Sequence, residues 1–275
     1  MKLFYKVVAL IALATGAANA QSLSATVSRQ AGDVATRTDY VARFDSKLFG
    51  VGVSEAKSEN DRVGTLKSQT YDDQEVFGNL TLPTIYNTRL GVFGSAAVNL
   101  NKNPRGFVSL NNGDVFVPVV SFGVRASHDF YNSTLGGWAR RENYSPSVNQ
   151  STLGGSLQRD AKGLRVGAFG DVSNLNGIPV SLGGANRPWT AGVQVGSSVD
   201  RPTGFTVYGK TGNTFIDNPS YVARTIEAGL NSNIGWRKNP FSLLVGGALG
   251  SESLPNSTNA SLSYYRAHAG LQLTF

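Results

Sequence analysis

Gly204-Phe205-Thr206-Val207-Tyr208-Gly209-Lys210-Thr211 spells G-x-x-x-x-G-K-[ST], the spacing with which a glycine-rich loop wraps phosphate. That chemistry needs a strand before the glycines and a helix opening at the lysine, so that backbone N–H groups point at the anion. Here the middle of the motif is itself a polar–apolar alternation, and Gly212-Asn213-Thr214 leads into a loop rather than a helical pattern. A nucleotide site is therefore not expected. Acyl transfer would need a nucleophile within hydrogen-bond reach of a base. The chain has two histidines, His128 and His268, with Ser127 beside the first and Ser133 close after it. Adjacent residues of a strand point to opposite faces, so Ser127 and His128 cannot pair. There is no cysteine, hence no thiolate ligand and no disulfide. No His/Asp/Glu set has ligand spacing either. The sequence predicts no catalytic constellation, no metal and no cofactor.

The elements that carry these residues read as strands. Tyr265, Ala267, Ala269, Leu271, Leu273 and Phe275 share one face of the final segment, and Arg266, His268, Gly270, Gln272 and Thr274 share the other. A period of two that ends on a C-terminal phenylalanine resembles the last strand of Gram-negative outer-membrane β-barrels, whose assembly machinery reads a terminal aromatic. The resemblance implies that Phe275 is an assembly signal, with the barrel-assembly machinery and outer-membrane lipid as partners. The N-terminus agrees. Lys2 and Lys6 precede the apolar run Val7 to Ala14, and Ala18-Asn19-Ala20 fits a small-residue cleavage site after Ala20. Residues 1–20 read as a cleaved signal peptide and 21–275 as one barrel domain. No later stretch offers the roughly 18 apolar residues of a spanning helix. A membrane fate for the mature chain must then be a closed barrel, because only helices and closed barrels satisfy the backbone in lipid.

Composition fits that reading. Charged residues make up 16% of the chain, against about 25% in soluble domains. The formal charge of +7 falls to +5 once Lys2 and Lys6 leave with the signal. Basic residues are scattered rather than clustered, which argues against nucleic acid as a partner.

Alternating segments follow one another along the mature chain: Leu23 to Arg29, Val34 to Phe44, Leu48 to Ala56, Glu75 to Ile85, Arg89 to Leu100, Val115 to Ser127, Thr134 to Tyr144, Thr152 to Arg159, Leu164 to Val172, Trp189 to Ser198, Phe205 to Gly212, Tyr221 to Ile234, Phe241 to Gly250, and the last. That is 14 strands in an all-β, transmembrane, antiparallel up-and-down barrel, or 12 if everything before Lys47 is a plug or tail. Tilted membrane strands need about 9 to 11 residues. One set of connections is short: Asp45-Ser46-Lys47, Tyr86-Asn87, Asp129 to Asn132, Asp160 to Gly163, Asp200 to Gly204 and Trp236 to Pro240. The other is mostly long: Lys57 to Gln74, Asn101 to Asp114, Ser173 to Pro188, Thr214 to Ser220 and Ser251 to Ala260. Short periplasmic turns and longer outer loops are the outer-membrane pattern. Phe44, Phe49, Tyr86, Phe130, Tyr131, Trp236, Phe241 and Phe275 lie by the short turns, and Trp189, Tyr221, Tyr264 and Tyr265 by the other rim, as two aromatic girdles would.

An arginine on the lipid face at mid-bilayer costs about 2 to 4 kcal/mol, so strand parity assigns the faces. Arg37, Arg43, Arg89, Arg125, Arg165, Lys210 and Arg266 all alternate with apolar residues, and Asp39, Asp171 and Glu227 accompany them inward. Seven cations against three carboxylates would favour anions in a pore. Arg224 breaks the rule by sharing a face with Ile226 and Leu230, which a rim position or a bulge would accommodate. The resemblance to small porins implies passive diffusion of small hydrophilic, preferably anionic, solutes. A non-conducting barrel for adhesion or partnering is the alternative, and an outer-membrane hydrolase the third.

Overall fold

Each segment has one apolar and one polar face, and pairing them edge to edge until the ring closes leaves no open edge for lipid to meet. The computed structural model describes residues 20–32, 36–60, 69–97, 106–110, 113–117, 120–143, 149–176, 187–197, 203–216, 218–235, 240–253 and 261–274. In chain order the strands are β1 (Ala20–Gly32), β2 (Thr36–Ser46), β3 (Phe49–Asn60), β4 (Gln69–Thr81), β5 (Thr88–Ala97), β6 (Gly106–Leu110), β7 (Gly113–Val117), β8 (Val120–Phe130), β9 (Ser133–Asn143), β10 (Asn149–Ala161), β11 (Leu164–Asn176), β12 (Trp189–Ser197), β13 (Thr203–Ile216), β14 (Asn218–Gly235), β15 (Phe241–Ser253) and β16 (Ser261–Thr274). Fourteen of them form a closed antiparallel ring in sequence order, with β5 paired to β8. The first and last strands close it, from Ser22↔Thr274 to Gly32↔Tyr264. The 14-strand count holds, and the 12-strand alternative fails because β1 and β2 are full members of the wall.

The turns explain the register. Tyr86 and Asn87 have φ of 46° and 61°, and Lys162 and Gly163 have 48° and 84°. Two successive positive φ values match the right-handed twist of the flanking strands, as a type I′ hairpin requires. The outward face is a band of exposed hydrophobics, including Val92 (47%), Leu157 (49%), Val193 (62%) and Leu271 (61%). On the inward face, large rings lie over glycines directly opposite in the register. Phe93 covers Gly123, Trp138 covers Gly154, Phe169 covers Gly192 and Tyr208 covers Gly229, and a methyl on any of these glycines would overlap the ring. This close approach accounts for part of the chain's 32 glycines.

Three expectations are corrected. Val115 to Ser127 is not one strand: 113–117 pairs with 106–110 in a separate hairpin, and the wall strand begins at Val120. β6 and the first two residues of β7 fall in the segment expected to be a long connection, Asn101 to Asp114. Thr214 to Ser220 is not a long loop, because β13 and β14 continue to an Ile216↔Asn218 pair past a register shift. Tyr264 is not a girdle residue. It faces inward and is 7% exposed. Phe275, Trp236 and the signal segment 1–19 lie outside the described residues.

Candidate functional site: the barrel interior

Direct cross-strand partners share a face, so the register fixes which side chains point inward. Gln30 pairs with Arg37 and Arg266, Ser28 with Asp39, and Ser24 with Arg43. Ser127 pairs with Arg89, Gly91 with Arg125, and Asp160 with Arg165. Gly154 pairs with Asp171, and Lys210 with Glu227. All ten positions therefore occupy the face opposite the exposed hydrophobic band. The side chain of Arg37 is not among the described ones. His268 is inward too, beside Gly246. Ser127 and His128 do lie on opposite faces, and His128 Nδ1 is 2.9 Å from Thr88 Oγ1 on the outer side.

Two layers of polar contacts follow. Near the short turns, arginines pair with carboxylates. Arg43 donates to Asp45 at 2.6 and 2.7 Å and to Asn79 at 3.0 Å. Arg89 reaches Asp129 at 2.6 Å, and Arg165 reaches Asp160 at 2.8 and 2.7 Å. Further along the wall is a hub around Glu227, which is 2% exposed. The Tyr208 hydroxyl donates to it at 2.9 Å and the Tyr264 hydroxyl at 2.6 Å. Lys210 Nζ lies 3.0 Å from one carboxylate oxygen and Arg266 3.8 Å from the other. Arg266 also donates to Gln30 Oε1 at 2.9 Å, which ties β16 to β1 across the closure. Asp171 accepts from Thr190. Arg125 donates to Thr81 Oγ1 at 3.1 Å and has no carboxylate partner among the described residues.

The count of seven cations against three carboxylates is corrected here. Asp45, Asp129 and Asp160 look like turn residues in the sequence, yet they stand at inward register positions and neutralise Arg43, Arg89 and Arg165. Arg140 and Glu142 add a further inward pair at 3.3 Å. Sequence reasoning also missed Tyr208 and Tyr264, although both precede by two residues a cation already assigned inward, and parity alone places them there. Gly204 to Thr211 runs along β13, which continues to Ile216, so no phosphate-binding loop forms. Among the described residues no three His, Cys, Asp or Glu side chains gather as a metal site.

No family model matches the chain, and no curated protein does. Solved structures match over nearly its whole length. A CymD monoaromatic hydrocarbon channel superposes with a TM-score of 0.57 at 8% identity, covering 96% of this chain and 91% of its own. A bacterial polysaccharide outer membrane secretin gives 0.51 at 10% identity, covering 94% and 99%. An anion-selective porin from Comamonas acidovorans gives 0.47 at 7% identity, covering 93% and 98%. At these identities the likeness is one of fold, and the fold of this chain is that of porin-like outer-membrane β-barrels.

Proposed function

We propose that the protein is a channel of the Gram-negative outer membrane through which small hydrophilic solutes diffuse passively. The observation that carries this reading is a closed ring of 14 strands with a hydrophobic outer band and a charged interior. Barrels of about eight strands fill their interior with side chains, whereas wider ones leave room for a lumen. Signal cleavage after Ala20 leaves β1 intact but for its first residue, and Phe275 serves as the assembly signal read by the barrel-assembly machinery. The barrel is not an enzyme. Anion preference is part of the proposal, and it now rests on local rather than net charge. Among the described residues Arg125 has no carboxylate partner, and Lys210 and Arg266 both lie against Glu227.

Single-channel recording in planar bilayers tests this reading, with reversal potentials in a salt gradient for the sign. The wild type is expected to conduct and to prefer anions weakly. Arg125→Glu should move the reversal potential towards cations, and high salt should screen the difference over a Debye length of about 3 Å at 1 M. A silent barrel would pass the reading to the adhesion alternative.

A further inference from the structure

The outer wall carries arginines that the channel does not use. Arg29, Arg141 and Arg224 occupy outward positions, are exposed, and stand in the half of the barrel nearer the long connections. The penalty for such positions falls away only near the membrane interface. One of these arginines comes with a shaped surface. A groove of about 680 Å³ runs down the outside of β8 to β11. Its floor is apolar: Phe122, Val124, Leu153 and Val172 are 55%, 55%, 63% and 48% exposed. Its upper end holds two exposed arginines, Arg141 on β9 and Arg187 in the connection before β12. The Ser173 N–H donates to the Pro188 carbonyl at 2.7 Å, which fastens Arg187 to the top of β11. Neither guanidinium has a carboxylate partner among the described residues. Arg141 Nε only approaches Asn143 Oδ1 at 3.5 Å.

An apolar trough that ends in two cations without carboxylate partners matches one kind of molecule: acyl chains joined to an anionic head. Guanidinium groups favour phosphate, which they bind through paired N–H donors. We propose that this groove is a binding site for a phosphorylated lipid of the outer leaflet, with its chains along Phe122, Val124, Leu153 and Val172 and its phosphate held by Arg141 and Arg187. The proposal rests on the outer-membrane reading.

The test uses the full barrel folded in detergent micelles, with bisphosphorylated lipid A as the probe and bound lipid counted by native mass spectrometry. A basic residue near an anionic lipid surface is worth about fivefold in binding, so Arg141→Gln with Arg187→Gln should weaken lipid A about 25-fold. Arg159→Gln, an exposed outward arginine beside the short turns, should leave binding unchanged. Dephosphorylated lipid A should bind the wild type as weakly as lipid A binds the double variant. Equal lipid A binding by the double variant and the wild type overturns the proposal, as does an equal loss in Arg159→Gln. Competition by millimolar inorganic phosphate would show a free-anion site and also overturn it. Conductance of the same double variant should stay at the wild-type level, so a failed channel reading and a failed lipid site give different results.

Discussion

At the scale of single residues, Glu227 is where charge is most concentrated. Its carboxylate is buried on the barrel's inner wall and receives two hydroxyls and two cations from β13 and β16. Removing one partner of a buried ion pair leaves the other uncompensated at a cost of about 3 to 5 kcal/mol. Lys210 and Arg266 keep 34% and 39% of their side-chain exposure, so solvent screens part of that cost. Glu227→Ala is expected to destabilise the folded barrel by about 3 kcal/mol, read as a lower urea midpoint in lipid vesicles. Glu227→Gln keeps an acceptor for the tyrosines and should lose only about half as much. Equal stability of Glu227→Ala and wild type would show that the hub is ornamental. The inward facing of Glu227, Lys210 and Arg266 was legible in the sequence, because strand parity and the lipid penalty need no partner information. Their pairing was not. Which cation meets which carboxylate depends on the stagger between strands, and Lys210↔Glu227 spans a hairpin whose turn was misplaced.

At the scale of the strand, the ring–glycine contacts set how closely neighbouring backbones pack. Trp138 lies over Gly154, and any side chain there meets the indole. Overpacking a filled site costs about 1 to 3 kcal/mol, so Gly154→Leu should lower the temperature at which the heat-modifiable folded band is lost on a gel. Gly209→Ala is the matched control. Gly209 faces outward with nothing within 4 Å of an added methyl, and its folded band should match the wild type. An unshifted Gly154→Leu barrel would mean that the indole moves aside freely. The strands themselves were largely legible, since alternation is a local signal. Their ends were not. β10 runs to Ala161, past its expected end at Arg159, and β11 to Asn176, past its expected end at Val172, because backbone pairing continues where the clear alternation stops. The β6–β7 hairpin escaped for the opposite reason. Val115, Val117 and Val119 form an alternating run of their own that leads straight into Val120, Phe122 and Val124, so the boundary is marked only by Pro118 and a one-residue change of parity at Val119–Val120.

At the scale of the whole molecule, that hairpin changes what the ring can do. It leaves the wall between β5 and β8 and its second strand approaches β14. In the order of the ring, β14 stands seven places from β5 in either direction, diametrically across. A segment that starts on one wall and reaches the opposite one must cross the opening at the end of the long connections. Its residues, Gly106–Leu110 and Gly113–Val117, carry one charge, Asp114. A crossing hairpin narrows the cross-section open to ions, so its removal widens the narrowest point of the path. Replacing residues 106–117 by a short Gly-Ser linker is expected to raise single-channel conductance severalfold while leaving the heat-modifiable folded band in place, since the 14-strand register does not include β6 or β7. The proposed anion preference should be the same in the deleted form as in the wild type, because Arg125, Lys210 and Arg266 belong to the wall. Unchanged conductance would place the hairpin outside the ion path. A deleted barrel that conducts beside a silent wild type would show that the hairpin closes the barrel rather than narrows it.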